Sequence, residues 1–222
     1  MDCNINFSKI ASNIYLLKFS NRYLTTSTLC RLQEYYEFPN ESIRMVYFSL
    51  EDFLDICYEQ YGKVSYFDDW DGFNIPGRVV RKFYNEFFLN KGDLTKKERK
   101  MFDIIVKEIF PNHANDDFYL IGCHKDEDID HEIAHAFYDL STDYKKTVDK
   151  FIKKLPNKDK IEKVLIKIGY GVPQLNDEIQ AYLSTSTHKD LVDFGFNKKW
   201  IVPKEFKEYF KSFKRDWMKL NS

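Results

Sequence analysis

Cysteine, glycine, proline and net charge are all scarce in this chain, and each shortage narrows what it can be. The 222 residues hold four cysteines, none in a Cys-x-x-Cys pair. Cys3, Cys30, Cys57 and Cys123 therefore form neither a dense disulfide framework nor a zinc ribbon, and they read as buried thiols in a reducing compartment. Eight glycines and six prolines leave no flexible linker, internal repeat or low-complexity stretch. No run approaches the roughly 18 apolar residues that cross a bilayer. The opening Met1-Asp2-Cys3-Asn4-Ile5-Asn6 lacks the basic start and apolar core of a secretory signal. A cytoplasmic protein with no membrane partner is the expectation. A surplus of one charge is missing too: 34 Lys and Arg face 35 Asp and Glu, for a net of -1. No nucleic-acid partner is expected from such a balance.

What the chain has in excess is aromatic surface: 20 Phe and 15 Tyr help bring the aromatic share to 17%. That much buriable area argues against disorder and is ample for one compact chain with a sizeable core. The pattern predicts an α+β, mainly helical fold with a small sheet next to the helix that carries the main motif. A strand is expected over 13–19 and a helix over 25–36. Ser49-Leu50-Glu51-Asp52 reads as a capping box opening a helix to about 61, stopped by Gly62. The stretch from Tyr66 to Pro76 is aromatic, acidic and rich in turn formers; it reads as a packed connection or as a binding loop. Thr95 with Glu98 is a second capping box, opening a helix to about 110 that Pro111 closes. Phe118 to Cys123 is a short strand-forming run, and Asp128 or Asp130 can cap the next helix, to about 140. Lys-rich helices follow over 142–155 and 158–168. Their lysines alternate with Asp143, Asp149, Asp159 and Glu162, the pattern of a solvated face. Asn176 can cap a helix to about 184, and Pro203 opens a last one with Phe206, Phe210, Phe213 and Trp217 on one side. The chain divides on this reading into an aromatic-rich helical region, 1–94, packed on a catalytic region, 95–222.

The one strong motif is His131-Glu132-Ile133-Ala134-His135. Histidines at i and i+4 of a helix project from one face, so both imidazoles can reach one Zn²⁺ at about 2.0–2.1 Å. Glu132, rotated by one residue, lies beside the water on that ion, where a general base belongs. Ile133, Phe137 and Leu140 form a separate apolar stripe that can anchor the helix. A catalytic zinc site wants a third protein ligand. Glu178, on a helical face with Ala181 and Tyr182, is the expected one. Asp177 is better placed as a first-turn partner of the helix dipole. His188, His124 and His113 are competing ligands. His124 reads as solvated by default, while His188, Tyr170 and Tyr182 are candidates to stabilise an oxyanion.

With those residues stated, the chain resembles the HExxH zinc metallopeptidases of the zincin clan, in a minimal gluzincin-like arrangement. The helix over 95–110 and the strand over 118–123 fit the clan's order of upstream helix, edge strand and HExxH helix. Glu178-Ile179-Gln180-Ala181-Tyr182 is similar to the Glu-x-x-Ala segment of the ImmA/IrrE-type peptidases. A metzincin would place Gly and a third His soon after His135, and Ala136-Phe137-Tyr138-Asp139 has neither. A thermolysin-like enzyme would carry Asp where Tyr182 stands. The resemblance implies hydrolysis of a peptide or protein substrate by a zinc-activated water, with Glu132 moving the proton to the leaving amine. It also implies an edge strand over 118–123 that holds substrate backbone. Two other readings remain: a non-catalytic zinc-binding regulatory or protein-interaction module on the same fold, and hydrolysis of another amide or an ester.

Overall fold

The computed structural model describes residues 4–38, 44–62, 70–126, 129–200 and 204–220. The expected class holds: the fold is α+β and mainly helical, with a four-stranded sheet among the described residues. The chain forms two compact units, Met1–Ile129 and Asp130–Ser222. The division thus falls at the start of the motif helix rather than at 94/95. The capped helix Lys96–Glu108 and the strand Tyr119–Cys123 belong with the N-terminal residues.

In the first unit, β1 (Ile5–Ala11) and β2 (Ile14–Phe19) form an antiparallel hairpin. β2 pairs in parallel with β4 (Tyr119–Cys123), which pairs antiparallel with β3 (Gly72–Pro76), giving the order β1-β2-β4-β3. β4, expected at an edge, is therefore interior. Its backbone groups are engaged on both sides, and it offers no free edge for strand addition. All five of its residues are buried, as suits an apolar run in a sheet centre. The sequence alone missed β1 and also β3, whose Gly72 and Pro76 read as turn punctuation. The aromatic stretch Tyr66–Pro76 thus ends as a strand, and its residues before Trp70 lie outside the described residues.

Helix α1 (Arg22–Glu37) is capped by the Asn21 side chain, which accepts from the Leu24 N–H, and packs on the sheet. The approach is so close that a Cβ on Gly122 would collide with Leu29 Cδ1. Helix α2 (Leu50–Tyr61) opens on the Ser49–Asp52 box and stops at Gly62, left-handed at φ 68°. α3 (Gly77–Phe83) continues into a π-helical stretch, Tyr84–Asn90, whose Phe87 stacks on Phe83 at 3.9 Å. Helix α4 (Lys96–Glu108) opens on the Thr95–Glu98 box.

The fully buried Arg31 of α1 organises this core. Its Nε and Nη2 donate to the two Glu98 oxygens at 2.9 and 2.6 Å, its Nη1 to Asp93 Oδ2 at 2.9 Å, and its Nη2 to the Asp93 carbonyl at 2.9 Å. Glu98 thus serves both as capping-box carboxylate and as partner of a buried guanidinium. Cys30 and Cys57 are buried free thiols and Cys123 is buried too, while Cys3 lies outside the described residues. Burial pushes Cys30 up, and pushes Cys57 up to about 11. Both stay protonated and unreactive at neutral pH.

Among the described residues the second unit is built from helices: α5 (Ile129–Leu140), α6 (Thr142–Lys153), α7 (Lys158–Lys167), α8 (Leu175–Thr185), the short α9 (His188–Asp193) and α10 (Lys204–Leu220). α8 lies at its centre, against α6, α7 and α10, and buries Ile179, Ala181 and Leu183. Its N-cap is Gln174, without a side-chain bond. Asn176, expected to cap it, lies inside the first turn and donates instead to Asp149. Phe137 of α5 packs among Tyr144, Phe210, Phe213 and Trp217, so the aromatic face of α10 anchors the motif helix. Among the described residues, no helix is long and apolar enough to cross a membrane.

Candidate metal centre

Two helices of the second unit build the site. On α5 the four-residue spacing sets His131 and His135 on one face, with their Nε2 atoms 3.2 Å apart. Across from them α8 presents Glu178, whose Oε2 lies 3.9 Å from His131 Nε2 and whose Oε1 lies 3.7 Å from His135 Nε2. One ligand atom from each of the three falls within 4.8 Å of the others, the one such group among the described residues. A tetrahedral ion with bonds of about 2.0–2.1 Å needs its donors about 3.3–3.4 Å apart. Two imidazole nitrogens and a carboxylate oxygen at these separations need only small side-chain adjustments to match it. Mixed N and O donors of this kind suit zinc.

Electrostatics favour a cation there. Burial alone would lower His135, yet Asp177, Glu178 and Glu132 around it more than offset that and hold it well above its ordinary value. Burial, and then the charge on His135, drive His131 well below its own. Three carboxylates thus surround two imidazoles in a space where His135, Glu132 and Glu178 are 2–5% exposed. The His131 side chain, 21% exposed, is the open side of the group.

Contacts beyond the donors orient the rings. Asp177 Oδ1 sits 2.8 Å from His135 Nδ1, on the ring edge away from Nε2. Asp177 is not a fourth member of the donor group, but it does more than face the helix dipole. Gln180 Nε2 donates to the same Asp177 oxygen at 3.0 Å, and the Tyr144 hydroxyl donates to Gln180 Oε1 at 2.9 Å. On the other ring, Thr185 Oγ1 lies 3.4 Å from His131 Nδ1 and donates to the Ala181 carbonyl at 2.7 Å. Sequence reasoning missed Gln180, Tyr144 and Thr185. An acid directly before the expected ligand, with an amide three residues on, was the available clue.

Tyr182 packs its ring against His131, with centroids 4.8 Å apart, and its hydroxyl is 3.1 Å from that of Tyr170. Burial raises both phenols, and the charges of Glu178 and Glu132 raise them further. They are therefore neutral O–H donors at physiological pH. His188 is exposed on the first turn of α9, beside the Thr187–Asp190 capping box, and is not part of the donor group. The other two competing histidines belong to the first unit. His113 is held between the Tyr15 hydroxyl at 2.8 Å and Asp117 at 2.9 Å, and His124, expected to be solvated, is largely covered with Nε2 3.5 Å from Asp71. Comparison with protein-family models, curated proteins and solved structures finds no match for this chain.

Proposed function

We propose that this protein is a zinc-dependent metallopeptidase. The observation that carries the reading is the convergence of His131 Nε2, His135 Nε2 and a Glu178 carboxylate oxygen, from two separate helices, beside a buried Glu132. These three residues would hold the ion and leave a position open. When bound, zinc supplies Lewis acidity, polarising a scissile carbonyl and acidifying water near pH 7.

The chain's own residues supply the rest. Glu132 follows His131 directly, and its carboxylate is close enough for its charge to act on His135, Tyr170 and Tyr182. It takes a proton from the attacking water and passes it to the leaving amine nitrogen. The Tyr170–Tyr182 pair has two hydroxyl protons and one mutual hydrogen bond. One proton therefore remains to donate to the oxyanion that develops on the carbonyl oxygen. Substrate reaches the group from the open side, at His131.

The test is metal content by elemental mass spectrometry, with turnover of a peptide library, on wild type, Glu178→Ala and Glu132→Gln. About one zinc per chain is expected in wild type and a sharp loss in Glu178→Ala. Glu132→Gln should keep the zinc and lose roughly 10²–10⁴ in turnover. A wild-type protein that takes up no zinc on reconstitution sinks the proposal. Zinc with no hydrolysis of any peptide would favour the non-catalytic module.

A further inference from the structure

In the second unit, α8 contributes more than Glu178. Asp177, one residue earlier, lies 2.8 Å from Nδ1 of His135, and Thr185, two turns later, lies 3.4 Å from Nδ1 of His131. Both groups meet the ring nitrogen that does not face the donor cluster. Thr185 spends its own proton on the Ala181 carbonyl, so towards His131 its oxygen can only accept. An ionised Asp177 is likewise an acceptor. Each ring therefore meets an oxygen at Nδ1: Asp177 faces His135 as a close charge pair rather than an aligned hydrogen bond, and Thr185 offers its lone pair to His131. Both favour the tautomer protonated there and leave the Nε2 lone pair for a cation. Asp177 is itself fixed by Gln180 Nε2, and Gln180 by the Tyr144 hydroxyl; both residues are fully buried.

The geometry points to Asp177 and Thr185 as positioning residues: one helix supplies a ligand and also sets the tautomer and orientation of the two histidines supplied by the other. Asp177 has the larger share, because its contact is shorter, carries charge and is anchored through Gln180 to Tyr144. This rests on the zinc reading of the site and adds to it the residues that determine how tightly the ion is held.

The experiment measures zinc affinity by competition with a chromophoric chelator, and the visible spectrum of the cobalt-substituted protein. It compares wild type, Asp177→Ala, Asp177→Asn, Thr185→Val and a control, Asp149→Asn. Asp149 accepts from Tyr138 and Asn176 in the same unit and touches neither histidine. Asp177→Ala should weaken zinc binding about 10- to 100-fold. Asp177→Asn, which keeps an acceptor oxygen, should recover part of that loss. Thr185→Val should weaken binding severalfold, and Asp149→Asn should stay within twofold of wild type. Cobalt spectra of the Asp177 variants should keep the wild-type band shape at a higher metal requirement, since the donors themselves are unchanged. If Asp177→Ala does not fold, Asp177→Asn and Thr185→Val carry the test. Variants within twofold of wild type overturn the inference and leave the zinc site standing, as does an equal loss in Asp149→Asn. A wild-type chain without zinc affinity overturns both.

Discussion

At the scale of single residues, the two units place their buried charges to different ends. In the first, Arg31 and Glu98 are desolvated together and satisfy each other, and Glu98 also closes the first turn of α4. Removing Glu98 leaves the buried Arg31 guanidinium with Asp93 alone and takes the capping carboxylate from α4 as well. Glu98→Ala should therefore cost about 3–5 kcal/mol, read as a lower denaturation midpoint with an unchanged slope. In the second unit the carboxylates of Glu132, Asp177 and Glu178 gather around two imidazoles and hold His135 well above its ordinary value. The phenols make a separate prediction. Whichever of Tyr170 and Tyr182 donates outward should lose about 10² in kcat when replaced by Phe, with zinc content and KM held. The other should cost much less, since its replacement removes only the mutual bond. Steady-state kinetics of the two single variants assign the roles; equal, negligible effects would remove both phenols from the reaction.

At the scale of elements, most of the structure was written into short local patterns. The Ser49–Asp52 and Thr95–Glu98 boxes were legible because a cap is a local hydrogen-bond exchange that needs no tertiary context. The HExxH pair was legible for a similar reason, since helix geometry alone puts i and i+4 together, and Glu178 could be reached from its helical face. The rest depended on partners far along the chain. β3 is a strand because β4 pairs with it, despite a glycine and a proline at its ends. β4 is interior because β2 and β3 flank it, which its own composition could not disclose. Arg31 reads as a surface residue until Glu98, sixty-seven positions on, is brought beside it. The caps also carry a pH signature. Asp52 and Asp190 accept hydrogen bonds in their boxes from Ser49 and Thr187, which lower their carboxyl groups below the ordinary value. A depressed carboxylate stabilises the fold above its unfolded pKa of about 3.9, and that contribution is lost as pH falls through the lower folded value. Asp52→Asn and Asp190→Asn, which remove the titrating carboxyl groups, should each flatten the acid limb of the stability profile, measured as melting temperature from pH 5 to 2. Unaltered acid limbs would mean that these caps contribute nothing measurable.

At the scale of the whole molecule, every member of the proposed centre belongs to the unit Asp130–Ser222, while the sheet belongs to Met1–Ile129. A ligand that binds only the folded state stabilises it in proportion to its saturation, by about 2.7 kcal/mol at a hundredfold excess over Kd. Zinc should therefore raise hydrogen-exchange protection chiefly in α5 and α8, and a chelator should reverse it. Protection that rises equally in β2, β4 and α1 would mean that the two units open as one.

The arrangement of α8 has a consequence for how this chain can change in length. Between Asp177 and Thr185 nearly every position is committed: two contact the histidines, one is the proposed ligand, one braces Asp177, and Ile179, Ala181, Tyr182 and Leu183 fill the interior. A single residue inserted there turns everything after it by about 100°. Thr185 would swing away from His131 while the core residues beyond the insertion rotated towards water. The turn at Ser186 carries no such phase relation, whereas the turn before the helix holds Tyr170 against Tyr182. Insertions and deletions should therefore be tolerated at the C-terminal end of this helix and at no position within it, so that α8 behaves as a unit of fixed length with one adjustable connection.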